Sequence, residues 1–212
     1  MLDLQFYVTA AVTMFVIVDP VALVPLFIAL TQGMDDAQRR AVARRASLIA
    51  IVLMASFGLL GEAILRVSGI SMPAFRIAGG ILLFLTALDM LFERRTRRRE
   101  DQHPSSSDPS VFPLATPLIA GPGAFTTMIL LVNTPRAEGH PGHVAAVLGI
   151  MAGVVLVSLF FFRIAGPIER ALGRTGIVVI TRLLGMLLAA LSVQFVLDGI
   201  RGTGLVPALA AG

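Results

Sequence analysis

The chain has 212 residues, 56% of them hydrophobic and 14% charged, with a mean hydropathy of +0.87, a balance that excludes an ordinary soluble domain. No cysteine is present, so disulfides and thiolate chemistry are excluded. All 17 basic residues are arginines, most of them in short segments between apolar runs, which reads as a topology signal rather than a nucleic-acid patch.

The apolar runs are about 19 to 25 residues long, the length an α-helix needs to cross roughly 30 Å of hydrocarbon, and they do not fit the alternating strands of a membrane barrel. The first span covers 5–31. Met1-Leu2-Asp3-Leu4 has no basic n-region, and no small-x-small cleavage site follows a short apolar core, so a permanent helix is expected rather than a removable signal. Its middle is interrupted by Asp19-Pro20-Val21-Ala22-Leu23-Val24-Pro25. Residues 34–40, with acids ahead of Arg39 and Arg40 and with Arg44 and Arg45 beyond, predict an interfacial helical turn.

Spans two and three are expected at 46–66 and 73–92. Glu62 and Arg66 lie four apart on one helix face and predict a local salt bridge. Glycines 58, 61, 79, 80 and 185 are expected at helix contacts. A linker over 93–111, with five arginines followed by Pro104, three serines and Pro109, separates a first half, 1–92, from a second, 112–200. Span four, 112–132, is interrupted by Gly121-Pro122-Gly123-Ala124-Phe125-Thr126-Thr127. His140 and His143 have no thiolate or convincing carboxylate partner, so a solvated loop is expected there, and no metal or cofactor. Spans five and six are placed at 144–163 and 176–198.

The two halves repeat. Arg76-Ile77-Ala78-Gly79 aligns with Arg182-Leu183-Leu184-Gly185 and Thr86 with Ser192, while Pro20 meets Pro122 and Ala22 meets Ala124. Three spans per half force opposite insertion, the inverted-repeat plan of many secondary transporters. Arginines weight the 1–2, 3–4 and 5–6 connections over the face holding Arg66, Arg136 and Arg201, which puts both termini on the periplasmic side. The expected fold is a single all-α membrane domain over 1–212, with six transmembrane helices in two inverted three-helix repeats and helices 1 and 4 broken near mid-membrane.

A residue before proline avoids the α region, and proline suits the first position of a new helix, so Asp19-Pro20 and Gly121-Pro122 each predict two half-helices. The restarted halves offer N–H groups to a carboxylate and the freed carbonyls can accept an ammonium, which together suit a small zwitterion. The expected lining is Asp19, Pro20, Ala22, Gly121, Pro122, Gly123, Thr126 and Thr127. Plain proline kinks satisfied by neighbouring helices are the competing reading; the symmetry of the two sites favours a cavity. Asp19 is open between helix cap, ligand of the ammonium and proton carrier. Arg76 and Arg182 hold equivalent places near opposite faces, where each can snorkel or act as a gate or ion pair.

Taken together, Asp19-Pro20 through Pro25, Arg39-Arg40, Arg44-Arg45, 75–80, 87–90, 117–124, 193–195 and Asp198-Gly199 resemble the MarC family of bacterial inner-membrane proteins over almost the whole chain. The resemblance implies a six-helix multipass protein of the inner membrane, related more distantly to LysE-type exporters, in a family whose SnatA-type members carry small neutral amino acids. One departure stands out: the family commonly has Asn before the first proline, where this chain has Asp19. The expected function is alternating-access transport of a small neutral amino acid such as glycine or alanine, with the bilayer as surroundings and proton or sodium coupling and homo-oligomer formation left open. Absence of a zincin motif, a nucleophile elbow and a P-loop argues against an enzyme. Two alternatives stand beside transport of an amino acid: transport of an anionic lipid head group such as a polyprenyl phosphate through Arg76 and Arg182, and a membrane scaffold that transports nothing.

Overall fold

The computed structural model describes residues 4–92, 108–134 and 142–204, and every regular element among them is helical. In chain order these are α1 (Leu4–Val18), α2 (Pro20–Leu30), α3 (Asp36–Val67), α4 (Met72–Leu91), α5 (Ser110–Ile119), α6 (Pro122–Val132), α7 (His143–Arg163) and α8 (Ala165–Gly202). Five stretches are long and apolar enough to cross a membrane, with α1 and α2 counted together. A sixth results when α5 and α6, bent by 57° at their junction, are taken as one.

Local chemistry sets where the helices start. Asp35 and Gln38 form a capping box at α3, with the Gln38 amide donating to Asp35 at 2.8 Å and the Asp35 N–H donating to Gln38 at 2.9 Å. Because of that cap the arginine-rich segment after Met34 is not a separate interfacial turn. It is the beginning of the 32-residue α3. Ser71 caps α4 through the Ala74 N–H, and Pro73 sits in its first turn, where a missing donor costs nothing.

The last span falls where expected, since Thr175–Gly202 is long and apolar enough to cross a membrane. A further helical stretch, which the sequence did not suggest, precedes it from Ala165, and the two together form α8 to Gly202. Its one interruption is Gly173, at φ 61° and ψ 174°, a conformation that only glycine adopts without strain. Of the expected 93–111 linker, residues 93–107 lie outside the described residues and Ser110 already belongs to α5. Arg136 and His140 also lie outside them.

The helices sort by depth. Two-thirds (67%) of the most apolar stretch across α1 and α2 is buried, against 28% for α3, α4 and α7 and 22% for α8. In α6 every residue from Thr126 to Leu131 is buried. The outer helices instead expose large apolar side chains, such as Leu48, Val52 and Leu60 on α3 and Leu183, Met186 and Leu187 on α8. An apolar surface of this kind is solvated by lipid. The interior therefore consists of α1, α2, α5 and α6, packed around Met14, Leu23, Phe27, Leu114 and Met128.

Glycines set the close approaches, as the sequence predicts. Gly58 faces Met128 and Val132, Gly61 faces Ile129, and Gly79 faces Thr126, so α3 and α4 close on α6. Along the antiparallel α4–α8 seam, Gly80 lies against Val196, Gly185 against Met90 and Gly199 against Ile77. The predicted Glu62–Arg66 bridge forms at 2.7 Å on an exposed face, where such a pair contributes a few tenths of a kcal/mol, about 0.3–0.5.

Candidate functional site

The chain leaves helical geometry between Val18 and Pro20. Asp19 has φ 48° and ψ 66°, the left-handed region, rather than the extended one that a following proline favours. Asp and Asn tolerate that region better than other residues with a Cβ because their short side chains bond locally. Here the Asp19 carboxylate accepts from the Ala22 N–H at 3.2 Å, while its own N–H donates to Phe15 O at 2.9 Å. The side chain is 1% exposed. This has a chemical consequence: a carboxylate of the protein already occupies the N-terminus of α2, so that end no longer suits an external carboxylate.

The second junction is built differently. Gly121 is extended, at φ −92° and ψ 174°, and no side chain caps α6 behind it. Before it, α5 is a wide-turned helix in which Phe112 and Thr116, each preceding a proline, take extended angles. A Cβ at Gly121 would lie 2.7 Å from the Pro117 carbonyl oxygen, so glycine is required there by close approach. The α6 N-terminus thus keeps its backbone donors and its positive dipole end for another partner.

The fold brings the two junctions together. A Cβ on Gly123 would lie 3.0 Å from Leu83, 3.5 Å from Ile17 and 3.8 Å from the Thr86 hydroxyl, which places the first turn of α6 against the last turn of α1 and the middle of α4. Asp19, Pro20, Gly123, Thr126 and Thr127 are buried, Ala22 and Gly121 are half-buried, and Pro122 is exposed. The Thr127 hydroxyl is fully buried and has no hydrogen-bond partner among the described residues. Arg76 and Arg182 are not brought together: Arg76 is half-buried at the start of α4, and Arg182 is exposed on α8. His143 is buried, with Nε2 2.9 Å from the Leu131 carbonyl.

Two cavities flank the junctions. The larger, about 460 Å³, is lined by Phe6, Thr9, Ala10 and Thr13 of α1, the ends of α6 and α8, and Arg76, Asp198 and Arg201. The smaller, about 380 Å³, lies at the other end of the α1–α2 segment between the start of α3 and the α7–α8 corner, and reaches Phe27 and Phe162. Those two rings stack at 4.6 Å between centroids. Asp19 falls between the cavities, six residues from Thr13 and eight from Phe27, or roughly 9 and 12 Å along a helix axis. None of the residues expected to line the site touches either cavity.

Neither cavity was read from the sequence. The signal for the larger one was available, since Phe6, Thr9, Ala10 and Thr13 recur at helical spacing on one face of α1 and include the small polar residues of that helix. The smaller depends on α7 meeting α3, a pairing that no local pattern encodes.

A family model described as MarC family integral membrane protein matches residues 4–203. A UPF0056 membrane protein of Methanocaldococcus jannaschii is 37% identical over 205 residues, spanning 95% of this chain and 98% of the relative. The UPF0056 membrane protein YvbG of Bacillus subtilis is 35% identical, over 93% of this chain and 95% of the relative. The UPF0056 membrane protein YhcE of Escherichia coli is 34% identical, over 94% of each. No solved structure matches the chain.

Proposed function

We propose that this chain, which belongs to the MarC family of integral membrane proteins, is a secondary transporter of a small neutral amino acid that works by alternating access. The observation that carries this reading is a buried, acid-capped helix junction lying between two cavities at opposite ends of the bundle. A site between two such hollows could be opened to either side in turn, which is what alternating access requires.

The chemistry of the junctions fits a zwitterion of about the size of glycine or alanine. Asp19 offers negative charge for the ammonium, the uncapped α6 N-terminus offers N–H donors for the carboxylate, and the Thr127 hydroxyl is an unused polar contact nearby. Ala22, Gly123 and Ala124 leave no room for a long side chain. Neither a cofactor nor an enzymatic step enters this scheme.

The seam between α4 and α8 supports the inverted repeat. Gly80 meets Val196 much as Gly185 meets Met90: Met90 and Val196 are 106 residues apart and Gly80 and Gly185 are 105, within one residue of the offset that separates Arg76 from Arg182. Under that plan the helix junctions are equivalent half-helix breaks near mid-membrane. In this reading the chain lies in a bacterial inner membrane with both termini in the periplasm, the orientation that the arginine distribution favours. Since neither cavity is lined by both Arg76 and Arg182, the amino-acid reading is preferred over passage of an anionic lipid head group.

Proteoliposome flux tests it. Purified protein is expected to exchange labelled alanine or glycine across the vesicle wall and to leave leucine and arginine behind. If none of the small neutral amino acids moves, with or without a proton or sodium gradient, the proposal fails.

A further inference from the structure

We propose that the smaller cavity is a receptor for a phosphate group, carried by an anionic glycerol lipid in the adjoining leaflet or free in solution. The proposal does not depend on transport. Three arginines line the cavity, Arg39 and Arg40 from the first turns of α3 and Arg163 from the last turn of α7, together with a single acid, Asp36. The lining therefore carries a net charge of about +2 in a concave space of about 380 Å³, within the size range of small-ligand sites.

Two of these three arginines are not engaged by the rest of the described protein. Arg39 is held in place, with Nε donating to the Thr31 hydroxyl at 3.2 Å and its guanidinium 5.7 Å from the centre of the Phe27 ring. Arg40 and Arg163 have no ion pair or hydrogen bond among the described residues. Asp36, three and four positions before Arg39 and Arg40 on the same helix, makes no salt bridge with either. Arg40 and Arg163 are exposed, but together with Arg39 they come from two separate helices onto one hollow. Like charges gathered in a concave site favour entry of an anion.

Geometry selects the kind of anion. Guanidinium forks pair bidentately with phosphate oxygens. Basic pockets between membrane helices are recurrent sites for lipid head groups. Asp36 adds an acceptor for a hydroxyl, which a glycerol head group carries and a choline head group lacks. Ala165 and Gly166 keep the wall of α8 low enough for a bulky head group to enter.

The test uses the full chain in neutral detergent, with lipid binding followed by native mass spectrometry and thermal melting. Phosphatidylglycerol is expected to bind and raise the melting temperature, and phosphatidylcholine to do neither. Arg40→Gln with Arg163→Gln is expected to weaken binding roughly 30-fold, and Arg163→Gln alone roughly fivefold, which keeps the test usable if the double variant folds poorly. Arg44→Gln, at an exposed position outside the cavity, should change nothing. A second arm replaces lipid with inorganic phosphate at constant ionic strength. Protection by phosphate over chloride, lost in the same variants, would identify the soluble form as the ligand; protection by the lipid alone would identify the head group. Equal binding of both lipids with no protection by phosphate, or an unchanged response in both variants, would overturn the proposal.

Discussion

Gly80 offers the sharpest test of how the bundle is held together. A Cβ at this position would lie 2.7 Å from Val196 Cγ2, 2.8 Å from the Ser192 carbonyl oxygen and 3.0 Å from the Val196 nitrogen. Two of these three atoms are backbone, so rotation of a side chain cannot relieve the clash. To reach ordinary contact at 3.4 Å, α4 and α8 must separate by roughly 0.6 Å along a seam packed with other contacts. Overpacking of that kind costs on the order of 1–3 kcal/mol. At Gly185 the same change meets Met90 Cβ at 3.0 Å and the Ala87 oxygen at 3.3 Å, so less movement is needed. Gly149, on α7, has nothing within 4 Å. Replacing it by Ala is expected to be neutral or to stabilise by up to about 1 kcal/mol, since glycine is the poorer helix former. Thermal melting of purified Gly80→Ala, Gly185→Ala and Gly149→Ala in one detergent should give that order, lowest to highest. Equal melting for Gly80→Ala and Gly149→Ala would refute the argument that helix separation along this seam is set by glycine.

Because the native chain has no cysteine, single-cysteine reporters are free of background. Thr9→Cys in the larger cavity and Gly166→Cys in the smaller should react with a membrane-impermeant maleimide from opposite sides of oriented vesicles; reaction of both from one side would contradict the two-ended arrangement. Phe162→Ala removes a ring that is 3% exposed and stacked on Phe27, and is expected to cost roughly 3–5 kcal/mol, whereas Phe160→Ala, 56% exposed, should hardly change the melting temperature. Asp108 has its pKa lowered below 3.8, first by the Ser110 N–H, then by the Ser110 hydroxyl, with Arg45 adding a weaker pull. A carboxylate depressed in the folded state stabilises above its unfolded pKa and loses that contribution as pH falls through the folded value. Asp108→Asn should therefore melt more like the wild type at pH 3 than at pH 7, by a small margin because the pair with Arg45 is exposed.

The spans, the junction positions, the contact glycines and the Glu62–Arg66 pair were legible in the sequence because each is set within one helical turn or by composition. Four features were not. The αL geometry of Asp19 depends on its own side chain closing onto Ala22, which competes with the usual pre-proline preference. The length of α3 depends on a capping box, Asp35 with Gln38, just ahead of the arginines that suggested a surface turn. The kink at Gly173, which joins a helical stretch from Ala165 to the last span, requires a positive φ that a glycine permits without dictating. The cavities belong to helix pairs distant in sequence, and the arrangement of α7 against α1, α2 and α3 leaves no local trace.

Asp19 is where the structural and functional readings can be separated. At 1% exposure, and within a span of 27 residues, a charged carboxylate costs on the order of 2.5–3.5 kcal/mol on insertion scales. Capping Ala22 does not require that charge, because asparagine caps a helix about as well and tolerates left-handed angles equally. Asp19→Asn is thus expected to keep the fold, with melting within about 1 kcal/mol of wild type, while Asp19→Ala loses both cap and backbone preference and falls further. Flux should then part from stability. If the acid receives the ammonium of the cargo or carries a coupled proton, Asp19→Asn will transport at least tenfold more slowly, or lose its dependence on the proton gradient, at unchanged melting temperature. Wild-type flux with wild-type pH dependence in Asp19→Asn would reduce the carboxylate to a cap, and the negative charge at the centre of the bundle would have no part in binding.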